Sequence, residues 1–373
     1  MDNTIIEYFL SLIKIDSESK NEKAVAEKLE KDLEELGAEV LFDNAHQRTG
    51  GNVGNLYAYI PGSINKPPIL FCAHMDTVKP GNGINPQIKD GLITSDGTTI
   101  LGADDKSGIT EIIWAIKELK ESGEKHAPVE ILFTISEEIG LKGAKHLDYS
   151  LIRSKTGYAL DSHQVGRLSI GAPSQNSLKF VVRGKESHAG VAPEKGINAI
   201  RVAAEAIAAM PDGRIDSETT CNVGIIKGGK ATNVVPNEVI IEAEARSHNK
   251  DKLKKVSDEM CQAFREVVKK FQVGKYKAEV EIKVKEEYQA FRLNEKAEVV
   301  VLAKDAAEKL DIEFKTEIGG GGSDVNIFNQ HGLLMAVAGS GMDKVHTVDE
   351  CIKISELEIG AKWMLEIIRE YSK

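Results

Sequence analysis

Ile69-Leu-Phe-Cys-Ala-His74-Met-Asp76-Thr77-Val78 is the stretch from which the fold can be read. It is a short apolar run with the length of a buried strand, set between Pro67-Pro68 and Pro80-Gly81. In a strand, residues two apart point to the same side, so His74 and Asp76 stand together where the run stops. In open α/β sheets that end of a strand is where ligands bind. An imidazole beside a carboxylate is a metal-ligand arrangement, because the acid fixes the tautomer and raises the basicity of the ring. Taken alone, His74 could equally be a strand-end histidine in a polar turn.

The surrounding chain alternates in the same rhythm. Helical periodicity covers 4–14 and 22–36, the second stopped by Gly37, and strands are predicted at 38–42, 56–60 and 69–73. A hairpin is predicted around Lys89-Asp90-Gly91, a helix over 109–120, and strands at 129–135 and 158–160. After about Pro173 the order becomes strand 178–183, helix 197–210, strands 221–226 and 239–245, helix 252–271 and strand 278–284. This β-α-β-β-α-β order is that of a ferredoxin-like α+β unit. From about Leu293 the first rhythm resumes, with a helix over 295–310, strands at 314–318 and 333–337, and a helix over 355–371. The expected fold class is therefore α/β, a catalytic domain with a mostly parallel sheet (1–174 and 289–373) interrupted by an inserted α+β domain (175–288).

The 373 residues suffice for two domains and a sizeable core. A net charge of −10, without a lysine- or arginine-rich stripe, argues against a nucleic-acid partner. No stretch reaches the roughly 18 apolar residues of a membrane span, and Met1-Asp-Asn-Thr-Ile-Ile lacks the basic start of a signal peptide. The four cysteines are scattered, which excludes a thiolate zinc site and makes a disulfide framework unexpected. A cytoplasmic protein with no membrane partner is expected.

Further acids and a histidine fall at the ends of predicted strands or beside glycine-rich turns. Asp104-Asp105 follows Ile100-Leu-Gly102, Glu137-Glu138 ends one strand, Asp161 ends another, and His346 follows Gly339-Ser-Gly-Met-Asp-Lys-Val345. Each has an ordinary alternative as a solvated acid, a helix cap or a loop histidine. Together, two histidines and several carboxylates at one sheet edge have the composition of a zinc, manganese or cobalt site.

In chain order, H-x-D-T-V, G-x-x-D-D-K-x-G, S-E-E-x-G, a strand-terminal Asp, S-H-A-G and a late H-T resemble the M20 family of metallopeptidases, and most of all its peptidase T branch. The resemblance runs over essentially the whole chain, including the position of the insert. It implies two divalent metal ions, zinc first and cobalt or manganese next. His74, Asp104 and Asp161 would hold one, and Glu138, His346 and a bridging Asp104 the other. The Asp104–Asp105 peptide bond is expected to be cis, Asp76 to hold His74, and Glu137 to act as general base on a water shared by the ions. His188, in Ser-His-Ala-Gly190, would reach a neighbouring subunit's site and stabilise the oxyanion, and Asn233 and Arg246 would contact substrate. A homodimer through the insert follows from the same likeness and from its open sheet edge.

The implied activity is removal of the N-terminal residue from short peptides, tripeptides first. An N-acyl amino-acid deacylase or small-peptide carboxypeptidase would use the same chemistry, and an inactive binding relative would lack Glu137 or a ligand. Gly319–Gly322 does not match a phosphate-binding loop. Two departures from the peptidase T branch bear on tripeptide specificity: Gly320 in place of an Arg, and Asp349-Glu350 in place of His-Glu after the late histidine.

Overall fold

A computed structural model describes residues 4–373. The chain divides into two compact units. One comprises the chain up to Gly171 with Arg292–Gly319 and Ser323–Lys373, and the other Ala172–Phe291 with Gly320–Gly322.

The larger unit is built on an eight-stranded sheet. Its order is Glu39–Phe42, Leu56–Ile60, Val129–Thr134, Ile69–His74, Thr156–Ser162, Leu334–Gly339, Arg167–Ser169 and Lys315–Glu317. The four central strands, from Val129–Thr134 to Leu334–Gly339, run parallel. Every residue of Ile69–His74 and of Val129–Thr134 is buried, as strands covered on both faces require. Helices Ala103–Ser122, Glu298–Lys309 and Ile354–Tyr371 pack on this sheet and on one another. Trp363 Nε1 donates to Ala303 O at 2.9 Å and Tyr158 OH to Val299 O at 2.6 Å, so the two largest buried rings also satisfy their polar tips. Gly108 explains the last glycine of G-x-x-D-D-K-x-G: a Cβ there would lie 2.6 Å from Leu160 O. Its absence lets the helix approach the strand that carries Asp161.

The smaller unit has a five-stranded antiparallel sheet in the order Gly213–Arg214, Thr219–Gly228, Glu238–Ser247, Ser174–Arg183 and Glu279–Tyr288. Helices Ala199–Ala209 and Lys250–Val268 close one face, where Phe180 and Phe264 stack with centroids 4.0 Å apart. Burial of each ring contributes roughly 1.5–3 kcal/mol.

Several elements differ from the sequence expectation. The helix expected from Ile109 begins at Ala103, because the polar run Asp104–Ser107 is buried rather than solvent-facing. The expected hairpin forms as Gln87–Lys89 paired with Leu92–Thr94, whereas helix Asp324–Gln330, strand Arg167–Ser169 and the strands Met342–Asp343 and Cys351–Lys353 that extend the hairpin's sheet are additional. Each is short, and strands Arg167–Ser169 and Cys351–Lys353 take partners from distant segments. Among the described residues no helix is long and apolar enough to cross a membrane.

Candidate metal centre

The acids and histidines of the larger unit meet at one end of its parallel strands. His74 is the last residue of its strand, and its Nδ1 lies 2.8 Å from the backbone carbonyl of Asp76. A carbonyl only accepts, so Nδ1 carries the proton and Nε2 is left for the site. Nε2 lies 2.9 Å from Asp104 Oδ1. His346 Nε2 contacts the other Asp104 oxygen at 3.2 Å and Glu138 Oε1 at 3.0 Å. Asp104 thus stands between the two rings, one carboxylate oxygen toward each. His74, Asp104 and Glu138 each offer a ligand atom within 4.8 Å of the others.

Asp104 and Asp105 open helix Ala103–Ser122 but depart from helical dihedrals, and the peptide bond between them is cis. Asp104 N–H, outside the helical ladder, donates to Glu350 Oε1 at 2.9 Å. Glu350 Oε2 accepts from Leu101 N at 2.7 Å and Gly102 N at 2.8 Å. One buried carboxylate therefore fixes the approach to Asp104. Burial pushes its pKa up to about 7, against the pull of these amides.

A second set of side chains holds the Ile135–Glu138 turn by its backbone. Asn55 Oδ1 accepts from Ile135 N at 3.1 Å and Glu22 Oε1 from Ser136 N at 3.0 Å. Asp76 Oδ1 accepts from Glu137 N at 2.9 Å, and its Oδ2 from Glu138 N at 3.2 Å and Ser19 Oγ at 2.6 Å. Four consecutive amides are thus clamped by three side chains. The Asp76 carboxylate stands 3.5 Å from His74 Nδ1, farther than the carbonyl of the same residue. Its hydrogen bonds come from Ser19 and from the amides of the two glutamates, a task that the sequence reading did not assign to it. Glu22 and Asn55 were not singled out by sequence either, and Glu350 only as part of a departure bearing on specificity, not as a support for Asp104. Their only signal is spatial, since Glu22 lies 114 residues before Ser136 and Glu350 lies 246 residues after Asp104.

The electrostatics show what the site lacks. Burial pushes the Asp161 and Glu137 carboxyls well up, helped for Asp161 by Asp104 and for Glu137 by Asp161. Glu138 is raised by burial too, partly relieved by His346. The histidines are raised as well, which for them favours the charged form: burial works against charge on His74, but Asp104 raises it, and Asp104 with Glu138 lifts His346 to about 10. Among the described residues Asp105 Oδ1 and Asp324 Oδ1 are buried without a hydrogen-bond partner. Buried acids in excess over cations are costly. Here the two histidinium rings supply positive charge among hard oxygen donors. A divalent cation would replace those protons with a fixed charge, so the donor set fits such an ion.

The remaining expected residues lie in the smaller unit. His188 is exposed, and its Nδ1 accepts from Gly190 N at 3.2 Å, which leaves the proton of a neutral ring on Nε2. The loop of Asn233 lies beside it, with Ala189 N donating to Asn233 O at 2.9 Å. Arg246 lies in strand Glu238–Ser247, its guanidinium held by Glu244.

A model of peptidase family M20/M25/M40 matches residues 70–370. The aminopeptidase PepT of Bacillus cereus is 43% identical, covers 99% of this chain and 98% of its own, and superposes with a TM-score of 0.87. A tripeptidase of Staphylococcus aureus is 38% identical over 99% of this chain and 98% of its own, with a TM-score of 0.91. Peptidase T of Fusobacterium nucleatum is 29% identical over 98% of this chain and 97% of its own.

Proposed function

Because the chain belongs to peptidase family M20/M25/M40, we propose that it is a two-metal aminopeptidase that releases the N-terminal residue of short peptides, tripeptides first. The observation that carries this reading is Asp104, with one carboxylate oxygen toward His74 and the other toward His346 and Glu138. That is the disposition of a bridging ligand. Its support in the comparisons is the pair of solved relatives that are called aminopeptidase and tripeptidase.

In this reading His74, Asp104 and Asp161 hold one ion, and Asp104, Glu138 and His346 the other, with zinc the first choice. When bound, the ions polarise the scissile carbonyl and acidify water. Glu137 is the residue left for proton transfer. Its backbone is fixed by Asp76, and burial keeps its carboxyl basic enough to take a proton from the attacking water and return it to the leaving amine. His188, presenting Nε2–H, is assigned to the oxyanion in a neighbouring subunit, Asn233 to the substrate, and Arg246 to its terminal carboxylate.

The assembly in this reading is a homodimer through the smaller unit. Beyond the two-residue strand Gly213–Arg214, the outer strand Thr219–Gly228 presents an edge with Ile225 and Ile226 exposed. Four buried free cysteines accord with a reducing, cytoplasmic location.

The test is hydrolysis of one tripeptide, free and N-acetylated, by metal-loaded protein with a chelated control. Release of the N-terminal residue from the free form alone is the expected result. Preference for the blocked form would make the protein a deacylase or carboxypeptidase, and activity that survives prolonged chelation would remove the metal from the mechanism.

A further inference from the structure

Arg246 is engaged along one edge of its guanidinium. In the smaller sheet the strand register sets Gln175 opposite both Arg246 and Tyr288. Glu244, two residues before Arg246, shares their face, while Ala243 and Ala245 turn toward the helices. Arg246 Nε donates to Glu244 Oε1 at 3.0 Å and Nη2 to Oε2 at 3.0 Å, a side-on, two-point pair. Gln175 Nε2 donates to the same Oε2 at 2.7 Å, so the carboxylate is itself held from a neighbouring strand. Tyr288 is buried and seats on Gly322, where a Cβ would lie 2.2 Å from its ring. Arg246 keeps 28% of its side chain exposed, enough to meet a ligand.

A guanidinium offers two edges for bidentate pairing. With the Nε–Nη2 edge occupied, the Nη1–Nη2 edge is the one presented, and its direction is set before any ligand arrives. A long side chain fixed in advance loses less entropy on binding.

We propose that Glu244, braced by Gln175, is a positioning residue that holds Arg246 as a preset clamp for the free C-terminal carboxylate of the peptide substrate. The inference rests on the assignment of Arg246 to that carboxylate. It adds the residue that makes the clamp selective and defines the substrate class as peptides ending in an unblocked carboxylate.

The test uses one tripeptide as free acid and as C-terminal amide, with metal-loaded wild type and the Glu244→Gln, Gln175→Ala and Arg246→Ala variants. Wild type should prefer the acid. Glu244→Gln should raise KM for the acid about tenfold, equivalent to about 1.4 kcal/mol, with kcat unchanged and the amide unaffected. Gln175→Ala should shift the acid in the same direction by less, and Arg246→Ala should abolish the preference. If Glu244→Gln leaves the preference intact or increases it, the positioning role is overturned while Arg246 keeps its assignment. If wild type cleaves acid and amide alike, the assignment of Arg246 falls and Glu244 with it. If it cleaves neither, the peptidase reading falls first.

Discussion

The carboxylate of Asp76 spans the backbone amides of Glu137 and Glu138, Oδ1 at 2.9 Å from the first and Oδ2 at 3.2 Å from the second. Two adjacent glutamates with different tasks need their relative placement fixed, and one two-pronged acceptor does this for both. Asp76→Asn keeps the size but puts an NH₂ against one of the two N–H groups. Metal affinity and kcat should each fall roughly 10- to 100-fold, as is usual when a group supporting metal ligands is lost. Titration of the metal-free variant with zinc, beside turnover at saturating zinc, measures the two effects separately. Unchanged values for both would show that Glu22 and Asn55 hold the turn without it.

Glu137→Gln preserves the shape of the side chain and its backbone bond to Asp76 while removing the proton acceptor. Turnover should fall roughly 100- to 10,000-fold. The metal content should stay at the wild-type value, because the contacts among His74, Asp104, Glu138 and His346 do not involve this side chain. Elemental analysis of the purified variant alongside its kinetics decides the matter. Full activity would move the base elsewhere, and lost metal would make Glu137 a ligand.

His346 has a left-handed backbone, φ 64°, and a half-exposed ring with Nε2 in contact with Asp104 and Glu138. Removal of the ring in His346→Ala should cost one metal equivalent and leave the ion expected at His74. Equilibrium dialysis against zinc gives the stoichiometry. Two equivalents bound at wild-type affinity would assign the second ion to other residues.

What the sequence makes legible is local. His74 and Asp76 sit two apart at the end of an apolar run, and Glu137-Glu138 end another, so the strand period alone places them at one sheet edge. The ferredoxin-like order is legible for the same reason, since each of its elements has a clear period. The clamps are not legible, because Glu22, Asn55 and Glu350 look like any polar residue until folding brings each to amides 80 to 249 residues away. Helix Asp324–Gln330 is seven residues long and follows a glycine run, which hides its start, where Ser323 N donates to Asn326 Oδ1 at 3.0 Å. The start of helix Ala103–Ser122 is hidden because the first turn buries Asp105, Lys106 and Ser107, the reverse of the usual pattern.

Glu111, farther along that helix, carries the last prediction. Its carboxyl is fully buried, and neither oxygen has a hydrogen-bond partner among the described residues. It faces Gly360 so closely that a Cβ there would fall 2.2 Å from Oε1. Burial pushes its pKa well up, and the acids that face it, Asp105 and Glu356, push it further. The folded protein therefore keeps this proton when the unfolded chain, with a glutamate pKa of about 4.3, has released it. In that window the unfolded state binds fewer protons, so stability falls as pH rises from about 4.3 toward the folded-state pKa. Glu111→Gln, a neutral mimic of the protonated acid, removes this loss. The variant should unfold near the wild-type temperature at pH 4.3 and at a higher temperature at pH 8, in thermal scans of the metal-free protein. A variant less stable than wild type by the same margin at both pH values would mean that the carboxyl is ionised and paired in the folded state.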